Sequence, residues 1–211
     1  MKIDFLSDIN KDNYYVLDYD RVDAYMVKTA WCRSVFLALY SWAIYFWAPA
    51  ASYPNPFSWR VVTFGEVIWV TALGFLTAIV ITVFRGRLKN HYVYRFIVTN
   101  ALMAYSYLVV FISGGSIEWH FHFFVMLALI TLYADWRLGW WAIIAVALHH
   151  NILNFISPGW VYFYGRNDVA SLAHAFLVFF MAIITTKICE QNRQLADASR
   201  LIGNEFDKNT K

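Results

Sequence analysis

The sequence predicts an all-α fold: a six-transmembrane-helix bundle with cytoplasmic N- and C-termini. Three observations predict it. Across 211 residues, 60% are hydrophobic, 20% aromatic and only 15% charged, whereas a soluble domain carries roughly 25% charged residues. Six apolar stretches are present, each close to the roughly 17 to 25 residues that a bilayer core demands of a helix. The 17 Lys and Arg residues then divide fifteen to two between alternating loops, with Arg60 and Arg166 alone on the second side. That asymmetry orients the chain by the positive-inside rule. A net charge of +3 is too small and too scattered for a nucleic-acid surface, and no nucleotide-binding or zinc-finger pattern occurs, so no nucleic-acid partner is expected.

Residues 1–30 form a polar N-terminal segment carrying Asp4, Asp8, Asp12, Asp18, Asp20 and Asp23. They lack the basic-then-apolar order of a cleavable signal peptide, so the segment is expected to stay in the cytoplasm. The transmembrane domain spans 31–188, with apolar runs at 35–51, 61–84, 93–113, 117–134, 138–157 and 169–186. Each is read as a helix, because a spanning segment must satisfy its own backbone and the runs are twice the length of a barrel strand. The connections at 114–116 and 135–137 are short enough to force antiparallel neighbours, so a ligand site must lie inside the bundle. Asp135, Trp136 and Arg137 suit a turn with an interfacial Trp and a local ion pair. Residues 189–211 form a cytoplasmic output helix or tail, in which Ile188, Leu195 and Ile202 recur every seven residues as a weak coiled-coil signal. Cys32 and Cys189 fall on the cytoplasmic side, where a structural disulfide is not expected.

Counting about 1.5 Å of rise per residue places His120, His122, His150 and His174, from three consecutive helices, in one layer about 5 to 10 Å below the outer ends. Glu66 falls at a similar depth on the second span and Glu118 begins the fourth, so both are candidate carboxylate ligands or supporting groups. Ionisable groups at this depth are costly unless they pair, line water or bind something, which makes the layer an expected site. Imidazole binds zinc, copper and iron and tolerates apolar surroundings when neutral. At about 100° per residue, His120 and His122 point about 200° apart, so both reach one centre only if the fourth helix starts late, after an irregular entry at Gly114-Gly115. His149 and His150 diverge by about 100°, so one faces inward and the other packs or supports it. Asn154, four residues beyond His150, is placed to orient it.

The run Gly114-Gly115-Ser116-Ile117-Glu118-Trp119-His120-Phe121-His122-Phe123-Phe124, followed by Leu132-Tyr133-Ala134-Asp135-Trp136-Arg137, resembles the multispanning membrane input regions of certain bacterial chemoreceptors, histidine kinases and diguanylate cyclases. In those regions a Gly-Gly-x-Ile-Glu-x-His-Phe-His stretch precedes a Tyr-x-Asp-Trp-Arg turn and two helices that each bear a His; His150 and His174 match the last two. The resemblance runs over residues 30–190, is dense from Gly114 to His174, and implies a sensory input module. Such receptors continue into kinase, cyclase or methylation regions, none of which appears before Lys211. The bundle is therefore either a piece of a longer receptor or a separate subunit. His120-Phe121-His122 also resembles the His-Phe-His of haem-copper oxidase subunits, where opposite-facing imidazoles serve two haems, but the long additional helices of that family are missing.

The leading expectation is a sensor with a transition-metal ion (copper, zinc or non-haem iron) held in the outer leaflet by His120, His122, His150 and His174. Glu118, Glu66, His149 and Asn154 would support them, and the last helix would carry the signal of a ligand, redox species or gas. The alternatives are a haem b electron-transfer or gas-sensing subunit, a membrane metalloenzyme, and a metal-free proton-sensitive network. The expected setting is the bacterial inner membrane, as a multi-pass protein among lipids, with a homodimer or a signalling partner.

Overall fold

The computed structural model describes residues 18–47, 60–88 and 91–209, with side chains described as far as 201. Residues 1–17 of the expected N-terminal segment and 48–51 of the first expected span lie outside the described residues. In chain order the helices are α1 (Tyr19–Trp47), α2 (Phe64–Phe84), α3 (His91–Ile112), α4 (Ile117–Ile130), α5 (Trp136–Ile156) and α6 (Asp168–Asn209), with single 3-10 turns at Thr131–Tyr133 and Pro158–Trp160. No strand occurs among the described residues.

Four helices are long and apolar enough to cross a membrane: α2, α3, α5 and the Asp168–Leu201 part of α6. The helix at Ile117–Tyr133 is apolar but shorter, and α1 opens in a polar stretch with Asp20, Arg21, Asp23 and Lys28. α1 runs unbroken through residue 30, and α6 runs unbroken past residue 188, so both expected domain limits fall within helices.

α3 is the centre of the bundle. Of its most apolar stretch 67% is buried, against 28% for α2, 33% for α5 and 22% for α6. The outward faces carry Phe121, Val125, Leu148, Ile152, Phe176 and Phe180 in the open, an apolar exterior of the kind a lipid surround accepts. Inside, small and hydroxyl residues bring the helices close. Leu37 of α1 reaches the space a side chain at Gly74 would take, and the hydroxyls of Ser34 and Tyr105 both donate to the Gly74 carbonyl, at 2.8 and 3.1 Å. This ties α1, α2 and α3 by polar contacts where hydrophobic exclusion supplies no drive between helices. On the other side Gly139 of α5 sits against Thr185 of α6, and the Trp140 indole donates to Thr186 at 3.0 Å.

Helix ends are set locally. Thr63 and Glu66 form a reciprocal capping box at the start of α2. Asp135 caps α5 by accepting from the Arg137 N–H at 3.1 Å, and its carboxylate also holds the Arg137 guanidinium at 2.7 Å. Burial raises the Asp135 pKa, but these hydrogen bonds and the Arg137 charge outweigh it and hold the carboxyl below its usual range. The expected turn and ion pair are thus present, and Trp136 and Arg137 open α5. Ala134, just before the cap, has φ +50°, a left-handed conformation that an L side chain adopts at a cost.

Candidate functional site

Three imidazoles from three helices meet at one end of the bundle. His120 lies in the first turns of α4, His150 in the last turns of α5, and His174 in the first turns of α6, so the antiparallel run of these helices brings them level. Ring centroids are 5.2 Å apart for His120–His150, 5.5 Å for His120–His174 and 5.7 Å for His150–His174. His120 and His150 are buried and His174 is half-buried.

Each ring is held in the same way. Nδ1 of His120 lies 2.8 Å from the Ser116 carbonyl, Nδ1 of His150 is 2.9 Å from that of Val146, and Nδ1 of His174 is 2.7 Å from that of Ala170. In every case the acceptor is the backbone carbonyl four residues earlier. A carbonyl only accepts, so each Nδ1 carries the hydrogen and each Nε2 is left as a lone-pair donor. Nε2 of His120 and Nε2 of His150 are buried and have no hydrogen-bond partner. Buried unpaired acceptors are costly, and native proteins leave few of them.

A fourth ring closes the group. Tyr162, in the connection between α5 and α6, has its centroid 5.9 Å from His120, 6.0 Å from His150 and 5.6 Å from His174, and lies parallel to the His120 ring within 4°. It is fully buried, and its hydroxyl has no hydrogen-bond partner. Gly114-Gly115 explains its position. Both glycines have positive φ, +71° and +78°. Gly115 N–H donates to the Val110 carbonyl at 2.9 Å and Gly114 N–H to that of Phe111 at 3.0 Å, closing off α3. A Cβ on Gly115 would stand 2.6 Å from the Tyr162 nitrogen and from the Val161 carbonyl carbon, so only glycine lets the Tyr162 backbone approach.

The other expected site residues have different partners. α4 is regular from Ile117, so the expected late start does not occur, and His120 and His122 diverge. The glycine pair ends α3 and leaves the entry to α4 regular. His122 is buried on the α3 side, with Nδ1 2.8 Å from the Ser106 hydroxyl. His149 stacks on Tyr107 at 4.3 Å, as the divergence from His150 requires. Asn154 acts on the next connection, donating to Asp168 at 2.8 Å and accepting from the Asn167 N–H at 3.1 Å, so it organises the start of α6 and makes no hydrogen bond to His150. Glu66 pairs with Arg60 at 2.6 Å within its capping box. Glu118 is exposed and accepts from the Ser116 hydroxyl. Neither carboxylate contacts the three imidazoles. Among the described residues no group of three or more His, Cys, Asp or Glu side chains is placed so that it could hold a metal ion.

Tyr162 was not foreseen, because nothing local distinguishes one Tyr among 14. The signal that could have found it is the glycine pair, which announces a close backbone approach without naming the partner.

No protein-family model matches the chain, and no solved structure matches it. The chain is similar to Transducer protein Htr8 of Halobacterium salinarum, 39% identical over 64 residues, which is 30% of this chain and 10% of that protein. The chain thus has a transducer relative over a limited stretch and, independently, four helices of membrane-crossing length and apolarity, both of which fit a membrane sensory module.

Proposed function

We propose that this chain is a membrane sensory input module whose stimulus acts at one transition-metal ion held by His120, His150 and His174. The observation that carries this is the common set of the three rings: each Nδ1 is committed to a backbone carbonyl, and the Nε2 atoms of His120 and His150 are buried and unpaired. Metal-binding histidines are oriented by such a hydrogen bond on the other ring nitrogen. A metal–nitrogen bond of about 2.0 to 2.1 Å puts a ring centroid about 3.2 Å from the ion, so two rings on one ion stand about 5.2 to 5.5 Å apart. The rings here are 5.2, 5.5 and 5.7 Å apart, close to that spacing, and the three side chains would have to turn their Nε2 atoms toward one point to hold an ion.

Three neutral nitrogen ligands would leave a position for a small molecule or a gas, beside the Tyr162 ring. When bound, the ion supplies Lewis acidity or a redox couple. The protein's own contribution is to hold three lone pairs, keep bulk water out with Tyr162 and the α4–α6 walls, and link His174 to the rest of α6. A stimulus that binds one arrangement of His174 better than another shifts α6. The accompanying topology is six spans with both termini in the cytoplasm of a bacterial inner-membrane protein, working as a homodimer or with a signalling partner.

The test is elemental analysis and the visible spectrum of the detergent-purified protein beside His150→Ala/His174→Ala. One equivalent of copper, zinc or iron, lost in the variant and without a Soret band, is expected. A Soret band would replace the ion with haem, and full metal content in the variant would end the assignment of these ligands.

A further inference from the structure

The opposite end of the bundle holds a cavity of about 660 Å³ between the start of α1, α3, the α4–α5 turn and the far part of α6. Four guanidinium groups line it, from Arg95, Arg137, Arg193 and Arg200, against two carboxylates, Asp135 and Asp197. Asp135 is already bound by Arg137 at 2.7 Å. Arg95 lies over the Tyr19 ring at 3.4 Å, and its Nε is buried with no hydrogen-bond acceptor. The cavity lining therefore carries an excess of two positive charges and an aromatic wall, with the Arg95 guanidinium fixed over the Tyr19 ring. Its size is within the roughly 300 to 1,000 Å³ of ligand pockets.

We infer that this cavity is a binding site for a phosphoryl group, which bridges Arg95 and the α4–α5 turn to Arg193 and Arg200 of α6. A dianion matches the charge excess. A tetrahedral group offers acceptors in several directions to guanidiniums arriving from three segments, whereas a carboxylate presents one planar edge. Arg193 and Arg200 are seven residues apart and so lie on one face of α6. Occupancy holds that face against the turn, and α6 is fixed at a second point remote from His174. The phosphoryl group comes either from a soluble phosphate or from the headgroup of an anionic lipid. The inference stands apart from the metal proposal, since it uses none of its residues.

The test compares the full-length protein with Arg193→Gln/Arg200→Gln, both positions being exposed on α6, and with Arg166→Gln as a control outside the cavity. One arm titrates pyrophosphate in detergent and reads tryptophan fluorescence, since Trp136 lines the cavity. The other reads phosphatidylglycerol retained after extraction from mixed nanodiscs, by native mass spectrometry. Saturable pyrophosphate binding weakened at least tenfold in the double variant, and unchanged in the control, supports a soluble source. Retained lipid lost only in the double variant supports the headgroup. Binding in neither arm, or binding equal in all three proteins, overturns the inference.

Discussion

The two ends of this bundle offer opposite chemistry from the same helices. At one end three histidines present lone pairs beside the Tyr162 ring. At the other, four arginines present N–H donors around an open cavity. The difference teaches what each side chain demands of its surroundings: neutral imidazole can be buried without a counter-ion, whereas guanidinium stays charged and must keep water, carboxylate or an aromatic face in reach. α4, α5 and α6 reach both ends, so the contrast comes from side-chain type and from the turns that set the ring positions.

Substitutions at each end break or sharpen the contrast. The largest effect is expected from His174→Ala, which removes a third of the proposed ligand set and should lower metal retention at least ~100-fold, about 3 kcal/mol, with helix content by circular dichroism unchanged. His122→Ala is its counterpart; it should keep the metal and lose only about 1 kcal/mol with the Ser106 contact. Retention of metal by the first and loss by the second would reverse the choice between them.

Gly115→Ala should cost about 2 to 4 kcal/mol in thermal or denaturant unfolding, from a left-handed backbone and a Cβ 2.6 Å from backbone atoms of Val161 and Tyr162. It should also loosen metal retention by displacing Tyr162, an effect that Tyr162→Phe should not reproduce.

At the arginine end, the Asp135 pKa is depressed in the folded state. Its contribution is therefore present above the unfolded pKa of about 3.9 and is lost as the pH falls through the folded value. Asp135→Asn should remove about 0.5 to 1 kcal/mol at pH 7 and flatten that part of the acid unfolding curve below about pH 4. An unaltered acid limb would show that the Arg137 pair contributes nothing. One effect is a gain: Ala134→Gly should stabilise by about 1 kcal/mol by relieving φ +50°.

How much of this was legible in the sequence depended on whether a feature is periodic. Apolar run length located α2, α3, α5 and α6, because a bilayer sets one scale for all of them. Depth counting puts His120, His122, His150 and His174 in one layer; the rings of His120, His150 and His174 lie together, whereas His122 faces Ser106 of α3. Direction was less legible. Helical phase already set His122 against His120, and only the supposition of an irregular entry kept them together; the glycines that suggested it serve the C-terminus of α3 and the approach of Tyr162. Glu66 is read by depth and Glu118 by its place at the start of the fourth span, and neither reading allows for carboxylates near a helix start binding its cap residue, as both do here. The arginine cavity was invisible because its four guanidiniums come from positions 95 to 200, and no spacing rule joins them.

Between His174 and Leu201 helix α6 contains neither Gly nor Pro, so it works as a torsional clock hand. His174 at one end and the pair Arg193 and Arg200 at the other are locked in angle, with the two arginines about a quarter turn from the histidine at about 100° per residue. A single residue inserted near Glu190 would swing both arginines about 100° off their cavity and leave the imidazole end untouched, whereas seven inserted residues would return them to within about 20° at a greater distance. Angular phase along one unbroken rod, rather than contact between the two ends, is what this chain has available to correlate them.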